Sequence, residues 1–224
     1  MSLDQQAILR EQSRFNMIEQ QIRTWDVLDG TVLDLLKKLP REDFVPKQYK
    51  GLAFADIEIP LGQGQLMLAP KIEGRILQAL AIKKTDKVLE IGTGAGYLTA
   101  LMALQAKHVD SIEAHAKLSA QAAKNIALQN IQNVTLSVGD GLQGNAAGAP
   151  YDVIVYTGAL PLAPSAVESQ LALGGRMFVV VGEAPVMEAT LITRVAAQIF
   201  KREVLFETCL PTLENAPQPA RFEF

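Results

Sequence analysis

The 224-residue chain has a single cysteine, Cys209, so no disulfide can form within it. One lone thiol suits a reducing, cytoplasmic setting, and Cys209 itself is expected to be buried and inert. Histidine is almost as scarce. His108 and His115 are the only two, too few with one thiol to build a zinc site, so no metal is expected. There is no basic excess. A net charge of -3 leaves little to drive tight binding to a phosphate backbone, which argues against nucleic acid as a partner. No apolar run is long enough to cross a bilayer: MFVVV, residues 177–181, is representative, and no membrane association is expected. The first residues carry no apolar segment of the kind a secretory signal needs. No repeat or low-complexity tract interrupts the chain. No G-x-S-x-G elbow and no well-placed set of Ser, His and Asp points to a hydrolase.

Apolar residues are abundant instead. At 49% of the chain they allow a sizeable core and argue against disorder, and the length fits one domain or one domain with an added subregion. Residues 5–23 read as a helix with Ile8, Phe15, Ile18 and Ile22 on one face. A second helix spans residues 30–39: Asp29 is its N-cap, Val32, Leu33, Leu36 and Leu39 form its stripe, and Pro40 ends it. Trp25 is expected to pack within this N-terminal part. Residues 41–70, broken by Pro46, Pro60, Pro70 and several glycines, read as irregular, and a third helix covers 71–82. The rhythm then changes. Strands at 87–91, 108–113, 134–138, 151–156 and 176–182 alternate with helices at 97–105, 116–129 and 164–173. Such alternation means a doubly wound α/β fold with a mostly parallel sheet covered on both faces. Two extended runs, 189–195 and 198–205, suggest a closing antiparallel pair, and the N-terminal helices a cap beside the sheet.

The informative segment is VLEIGTGAGY, residues 88–97. Glycines between a first strand and a first helix let a ligand approach the backbone closely, and the loop amides favour a negative ligand group. Either a dinucleotide or S-adenosylmethionine would fit such a loop. The spacing separates them. A dinucleotide fingerprint has glycines at its first, third and sixth positions. Gly92 and Gly94 match, but the sixth position is Tyr97, and the third glycine, Gly96, comes one residue early. Glu90 precedes the loop. Glu113 ends the second strand, where an acid can bond both ribose hydroxyls. Asp140, in GDG after the third strand, lies at the same edge. Three carboxylates would repel a pyrophosphate and suit a ligand carrying an ammonium, a sulfonium, a ribose diol and an adenine amino group. A tight turn alone would also place glycines here, and any one acid is ordinarily a solvated surface residue. The three together, at carboxyl ends of successive strands, fit a ligand site.

EIGTGAG with Glu113 and Asp140 resembles the class I S-adenosylmethionine-dependent methyltransferases. More narrowly, the chain resembles the protein-L-isoaspartate O-methyltransferase family. The pieces that carry this resemblance are PREDFVP (40–46), PLGQGQ (60–65), AP (69–70), VLEIGTGAGY, GDGLQG (139–144), APYDVIVYTGA (149–159) and QLALGGRMFVVVG (170–182), in family order. The glycine motif is common to many methyltransferases; PREDFVP and GQGQ are more specific. The resemblance implies a Rossmann-like methyltransferase sheet, residues 71–224, beside a cap and substrate loop, residues 1–70. It also implies methyl transfer from S-adenosyl-L-methionine to the free carboxylate of isoaspartyl residues in damaged proteins, the first step of repair. By the same resemblance Gly92, Thr93, Gly94 and Gly96, with Glu90 and Tyr97 close by, line the methionine part of the cofactor. Glu113 holds the ribose, Asp140 and Gly141 the adenine, and Thr157 lies near the reacting centre. His115 follows Glu113 and is either a cofactor contact or an exposed loop residue.

One stretch departs from the family. Where it usually reads Gly-Gln-Thr-Ile-Ser, with the Thr and Ser hydroxyls facing the reacting centre, this chain reads Gly64-Gln65-Leu66-Met67-Leu68. An ionised carboxylate needs no general base to attack a methyl sulfonium, so the hydroxyls would serve to orient it. Losing one hydrogen bond to a charged group costs roughly 1.5–3 kcal/mol, about ten- to a hundredfold in rate. Gln65, Leu66, Met67 and Leu68 are therefore the expected substrate loop, with no catalytic side chain assigned. Three readings follow: the loop only packs on the cap, it accepts a more apolar or small-molecule acceptor, or the chain binds the cofactor without catalysis. The ending, LPTLEN (210–215), resembles the family's only loosely.

Overall fold

The computed structural model describes residues 3–219, with side chains from residue 5 onward. Helix α1 (Leu3–Asn16) runs into a π-helical turn at Met17–Ile22 and a 3-10 turn at Arg23–Trp25. The face expected to unite Ile8, Phe15, Ile18 and Ile22 is not kept. Ile18 and Ile22 are buried, whereas Ile8 and Phe15 are 68% and 56% exposed. A π turn adds a residue to the helical repeat, which breaks the 3.6-residue spacing at that point. Helix α2 (Gly30–Lys38) begins where Asp29 accepts the N–H groups of Thr31 and Val32 at 2.8 and 3.1 Å, and buries Val32, Leu33 and Leu36.

Residues 41–70 are more regular than expected. After 3-10 turns at Arg41–Asp43 and Lys47–Leu52 comes an antiparallel hairpin, β1 (Ile59–Gly62) and β2 (Gln65–Met67). Positive φ at Gly62, Gln63 and Gly64 reverses the chain between them. Most of the expected substrate loop is thus a strand. Helix α3 (Pro70–Leu80) follows, with proline at its first turn, where a missing N–H costs nothing. Trp25 is only partly covered, and the Lys71 ammonium lies 4.1 Å from its ring centroid.

The main sheet contains β3 (Lys87–Ile91), β4 (His108–Glu113), β5 (Val134–Val138), β6 (Tyr151–Leu160), β7 (Leu171–Glu183), β8 (Val186–Ala196) and β9 (Ile199–Thr208). Its order is β5-β4-β3-β6-β7-β8-β9. The first five are mutually parallel, and β8 and β9 add the antiparallel pair. Helices α4 (Tyr97–Ala103) and α5 (Ala116–Leu128) connect the early strands. The helix expected at 164–173 shrinks to α6 (Ser165–Glu168). Leu171 already pairs with Tyr151, and Gly174 and Gly175 are poor helix formers, so this stretch joins β7. Cys209, expected to be buried, is exposed, because the chain leaves the sheet after Thr208. Among the described residues no helix is long and apolar enough to cross a membrane.

Cap and sheet share one buried cluster in which Met17, Leu36 and Phe44 are continuous with Val88, Val153 and Phe178. A charged group lies within it. Arg41 is 1% exposed. Its Nε donates to the Ala53 carbonyl at 2.9 Å, Nη2 to the Leu68 carbonyl at 2.6 Å, and Nη1 to the carboxylate of Glu73, which is equally buried. Its guanidinium stacks 5.0 Å from the centroid of Tyr97, and Phe44 meets the same ring edge-on at 5.2 Å. Burial pushes the Glu73 carboxyl up, and Arg41 opposes the rise. Breaking a buried pair leaves an uncompensated charge at a cost of about 3–5 kcal/mol. Arg41→Met is therefore expected to lower unfolding free energy by about that much in urea titrations. Adding Glu73→Leu should recover only part, since the Ala53 and Leu68 carbonyls stay unpaired. A loss below about 1 kcal/mol in the single variant would contradict the anchor.

Candidate active site

A cleft opens at the carboxyl ends of β3, β4, β5 and β6, the edge where open α/β sheets bind ligands. Glu90, Gly92, Thr93, Gly94, Tyr97, Glu113, Asp140, Gly141 and Thr157 all line it. Gly96 does not. It is the N-cap of α4 with φ +82, and a Cβ there would come within 3.1 Å of Ala122 and Ile126. Its place is the packing of the loop against α5. Gly92 is required for close approach: a Cβ would fall 2.1 Å from Thr157 Oγ1. That hydroxyl lies 3.0 Å from the Ile91 carbonyl and 2.8 Å from the Gly92 carbonyl, so Thr157 staples the end of β3.

The loop amides are largely committed inside the protein. Gly92 N–H donates to Ile112, Gly94 N–H to Glu113 Oε2 at 2.8 Å, and Gly96 N–H to Thr93. Those three are bound within the protein. Glu113 is buried, and its Oε1 also accepts the His115 N–H at 3.0 Å. Each carboxylate oxygen keeps a second lone pair, so Glu113 can still accept from a diol. Asp140 is exposed. One oxygen accepts from Leu142 N–H at 2.9 Å and the other from Asn215 Nδ2 at 3.2 Å.

Glu90 is fully buried. Its Oε2 accepts from Thr99 Oγ1 and, at 2.7 Å, from Ser111 Oγ. Among the described residues its Oε1 has no partner, and neither does the Tyr97 hydroxyl. Burial pushes the Glu90 pKa up to about 8 despite the two hydroxyl donors, with Glu113 and Glu73 adding to the rise. A buried carboxyl with a bare oxygen in the cleft lining is suited to a cationic partner.

The expected substrate loop lies in the hairpin and the residue after it. Gln65, Leu66, Met67 and Leu68 all line the cleft; Met67 and Leu68 are buried, and Leu66 is partly so. Arg41, which bonds the Leu68 carbonyl, and its partner Glu73, which lines the cleft, were not among the expected site residues, although Arg41 lies within PREDFVP. The larger omission is the segment after β9. Leu213, Glu214 and Asn215 return across the cleft and line it. Glu214 Oε1 is 3.0 Å from both Gln65 Nε2 and His115 Nε2, so His115 belongs to the cleft. No local signal announces contacts between residues 99 and 149 positions apart.

This fold and cleft define a protein of the Rossmann-like methyltransferase class. The profile of the protein-L-isoaspartate(D-aspartate) O-methyltransferase family matches residues 12–211. The protein-L-isoaspartate O-methyltransferase of Koribacter versatilis is 40% identical over 192 residues, 86% of each chain. That of Rhodopseudomonas palustris is 36% identical over 210 residues, 91% of this chain and 96% of its own. A solved protein-L-isoaspartate O-methyltransferase superposes with a TM-score of 0.78 at 25% identity, covering 92% of this chain and 66% of that one. A second solved structure, from Plasmodium falciparum, shares the fold with a TM-score of 0.76 at 19% identity, covering 89% and 97%. It is a putative member in complex with S-adenosyl-L-homocysteine. The chain belongs to the protein-L-isoaspartate(D-aspartate) O-methyltransferase family.

The raised pKa of Glu90 has a definite sign. The folded value lies above the unfolded one, so its contribution to stability is full below about pH 4.5 and is lost as pH rises through about 8. The difference in unfolding free energy between the parent and Glu90→Gln, followed across pH 4.5 to 8.5 in urea, is expected to shift steadily in favour of the variant. A difference independent of pH contradicts a raised Glu90.

Proposed function

We propose that the chain transfers a methyl group from S-adenosyl-L-methionine to the free carboxylate of isoaspartyl residues in damaged proteins, in the cytoplasm. The observation that carries this reading is the placement of Glu90, Glu113 and Asp140 along β3, β4 and just after β5, around a glycine loop in which the Gly92, Gly94 and Gly96 amides are bonded within the protein. A pyrophosphate would find few donors and several acids there. An ammonium, a ribose diol and an adenine amino group would find acceptors, and the bare Glu90 Oε1 fits the cation. Gly92, Thr93 and Gly94, above Glu90 and Tyr97, would hold the methionine part, Glu113 the ribose, and Asp140 with Gly141 the adenine. The bound cofactor supplies a methyl group on a sulfonium.

The remaining work falls to the protein. A carboxylate acceptor is already ionised at neutral pH, so no side chain need remove a proton. The hairpin must hold it in line, and positioning of this kind supplies much of the rate. Arg41 keeps the Leu68 backbone in place for that task. Leu66 and Leu68 offer the acceptor no donor, so the wall supports activity below that of a hydroxyl-bearing hairpin and a preference for acceptors with an apolar flank.

Two measurements test the proposal. Calorimetric titration should show S-adenosylmethionine and S-adenosylhomocysteine binding and no NAD binding; the reverse pattern would sink the reading of the cleft. Methyl transfer to an isoaspartyl peptide should exceed that to its aspartyl twin. In Leu66→Thr/Leu68→Ser, kcat/KM should rise by about ten- to a hundredfold, the worth of a restored hydrogen bond to a charged group. A variant that binds cofactor with no gain contradicts the account of the wall. If the parent binds cofactor but methylates only apolar small carboxylic acids, the isoaspartyl reading fails.

A further inference from the structure

We infer that Glu214 is a positioning residue: it latches the strap formed by residues 210–216 across the cleft and ties the acceptor hairpin to the cofactor rim. The proposal rests on the reading of the cleft given above. After β9 the strap leaves the sheet and is stitched to the end of β6. Ala159 N–H donates to the Pro211 carbonyl at 2.9 Å, and Leu213 N–H donates to the Ala159 carbonyl at 3.0 Å. Leu210 and Ala216 are buried at either end. Between them Leu213 lies over the floor of the cleft. A Cβ on Gly158 would come within 2.8 Å of its side chain, and one on Gly92 within 3.7 Å.

The side-chain contacts of Glu214 and Asn215 fall on cleft residues. Glu214 Oε1 accepts from Gln65 Nε2 at 3.0 Å and lies 3.0 Å from His115 Nε2; the two nitrogens are 3.5 Å apart. Gln65 belongs to the acceptor hairpin. His115 follows Glu113, and its N–H is bound to that carboxylate. Asn215 holds Asp140. One carboxylate therefore joins the acceptor side to the ribose side, and its neighbour reaches the adenine side. Pro211 to Asn215 line the cleft from this side, so a ligand held beneath them leaves more readily when the strap lifts. The latch suits such a movement. Glu214 is about half exposed, and solvated side-chain contacts hold weakly and break readily.

The test measures dissociation of radiolabelled S-adenosylhomocysteine from the full chain, together with the KM for an isoaspartyl peptide. Glu214→Ala should release S-adenosylhomocysteine roughly tenfold faster, the factor expected for one or two lost hydrogen bonds. The peptide KM should rise with it, and the melting temperature of the ligand-free protein should stay unchanged. Gln65→Ala should accelerate release as well, and the double variant should release no faster than the faster single, because both remove one latch. Parental release rates in Glu214→Ala, or additive effects in the double variant, overturn the proposal. Should Glu214→Ala lower the melting temperature, Glu214→Gln repeats the comparison with the size kept and the charge facing His115 removed. Failure of the parent to bind S-adenosylhomocysteine ends the reading of the cleft, and this proposal with it. Normal binding with parental release in the variant ends this proposal alone.

Discussion

The buried guanidinium of Arg41 is the constraint on which the rest depends. Desolvating a cation costs several kcal/mol, so it is tolerated only where its donors and its face are all engaged. Here the engagements come from four segments: Ala53 before the hairpin, Leu68 at its end, Glu73 in α3 and Tyr97 at the start of α4. Moving any one of them strands a charge in the core. The cap, the acceptor wall and the helix after the glycine loop are therefore fixed relative to one another by a single side chain. This also accounts for tyrosine at position 97, where a dinucleotide loop would have glycine. The ring is a buried platform between Arg41 and Phe44.

With the walls fixed, the electrostatics of the cleft set what it can bind. The carboxylates are not equivalent. Glu113 spends one lone pair of each oxygen on the backbone, which aims it and holds its loop. Asp140 is solvated and restrained by Asn215. Glu90 is dry, raised, and bare on one oxygen. A cation beside it would favour its charged form, whereas an anion would oppose it. The Gly92, Gly94 and Gly96 amides, bound internally, lean the same way by a separate route.

Periodic signals were readable from the residues alone. Short strands ending in acids, an Asp29 cap and the alternation of strand and helix predicted the sheet and the cleft edge, because each depends on contacts within a few residues. What stayed hidden depends on distant partners. The hairpin strands have four and three residues, too few to show alternation. Ile8 and Phe15 obey a helical period that the π turn at Met17–Ile22 interrupts. Leu171 prefers the sheet because Tyr151 waits beside it. The close packing of Gly96 on α5 is likewise set by a distant helix. Cys209 and the strap beyond it followed no period at all, and the contacts of Glu214 cross 99 and 149 positions.

The leucines of the acceptor wall bear on binding and chemistry unequally. The attacking carboxylate carries a full charge in the ground state and loses part of it as its bond to the methyl group forms. A hydroxyl donor facing it is therefore strongest before reaction and weaker at the transition state. Only interactions that strengthen on the way to the transition state accelerate the chemical step; those that weaken bind the substrate and tax the step. Replacing such donors by Leu66 and Leu68 removes more ground-state than transition-state stabilisation. The loss then falls chiefly on KM, with kcat spared as long as the acceptor is still aligned. On the proposed reading, alignment would rest on the backbone that Arg41 holds at Leu68 and on Gln65, bonded to Glu214. A wall without hydroxyls is thus compatible with turnover because its geometry is secured from behind rather than by the residues that face the substrate.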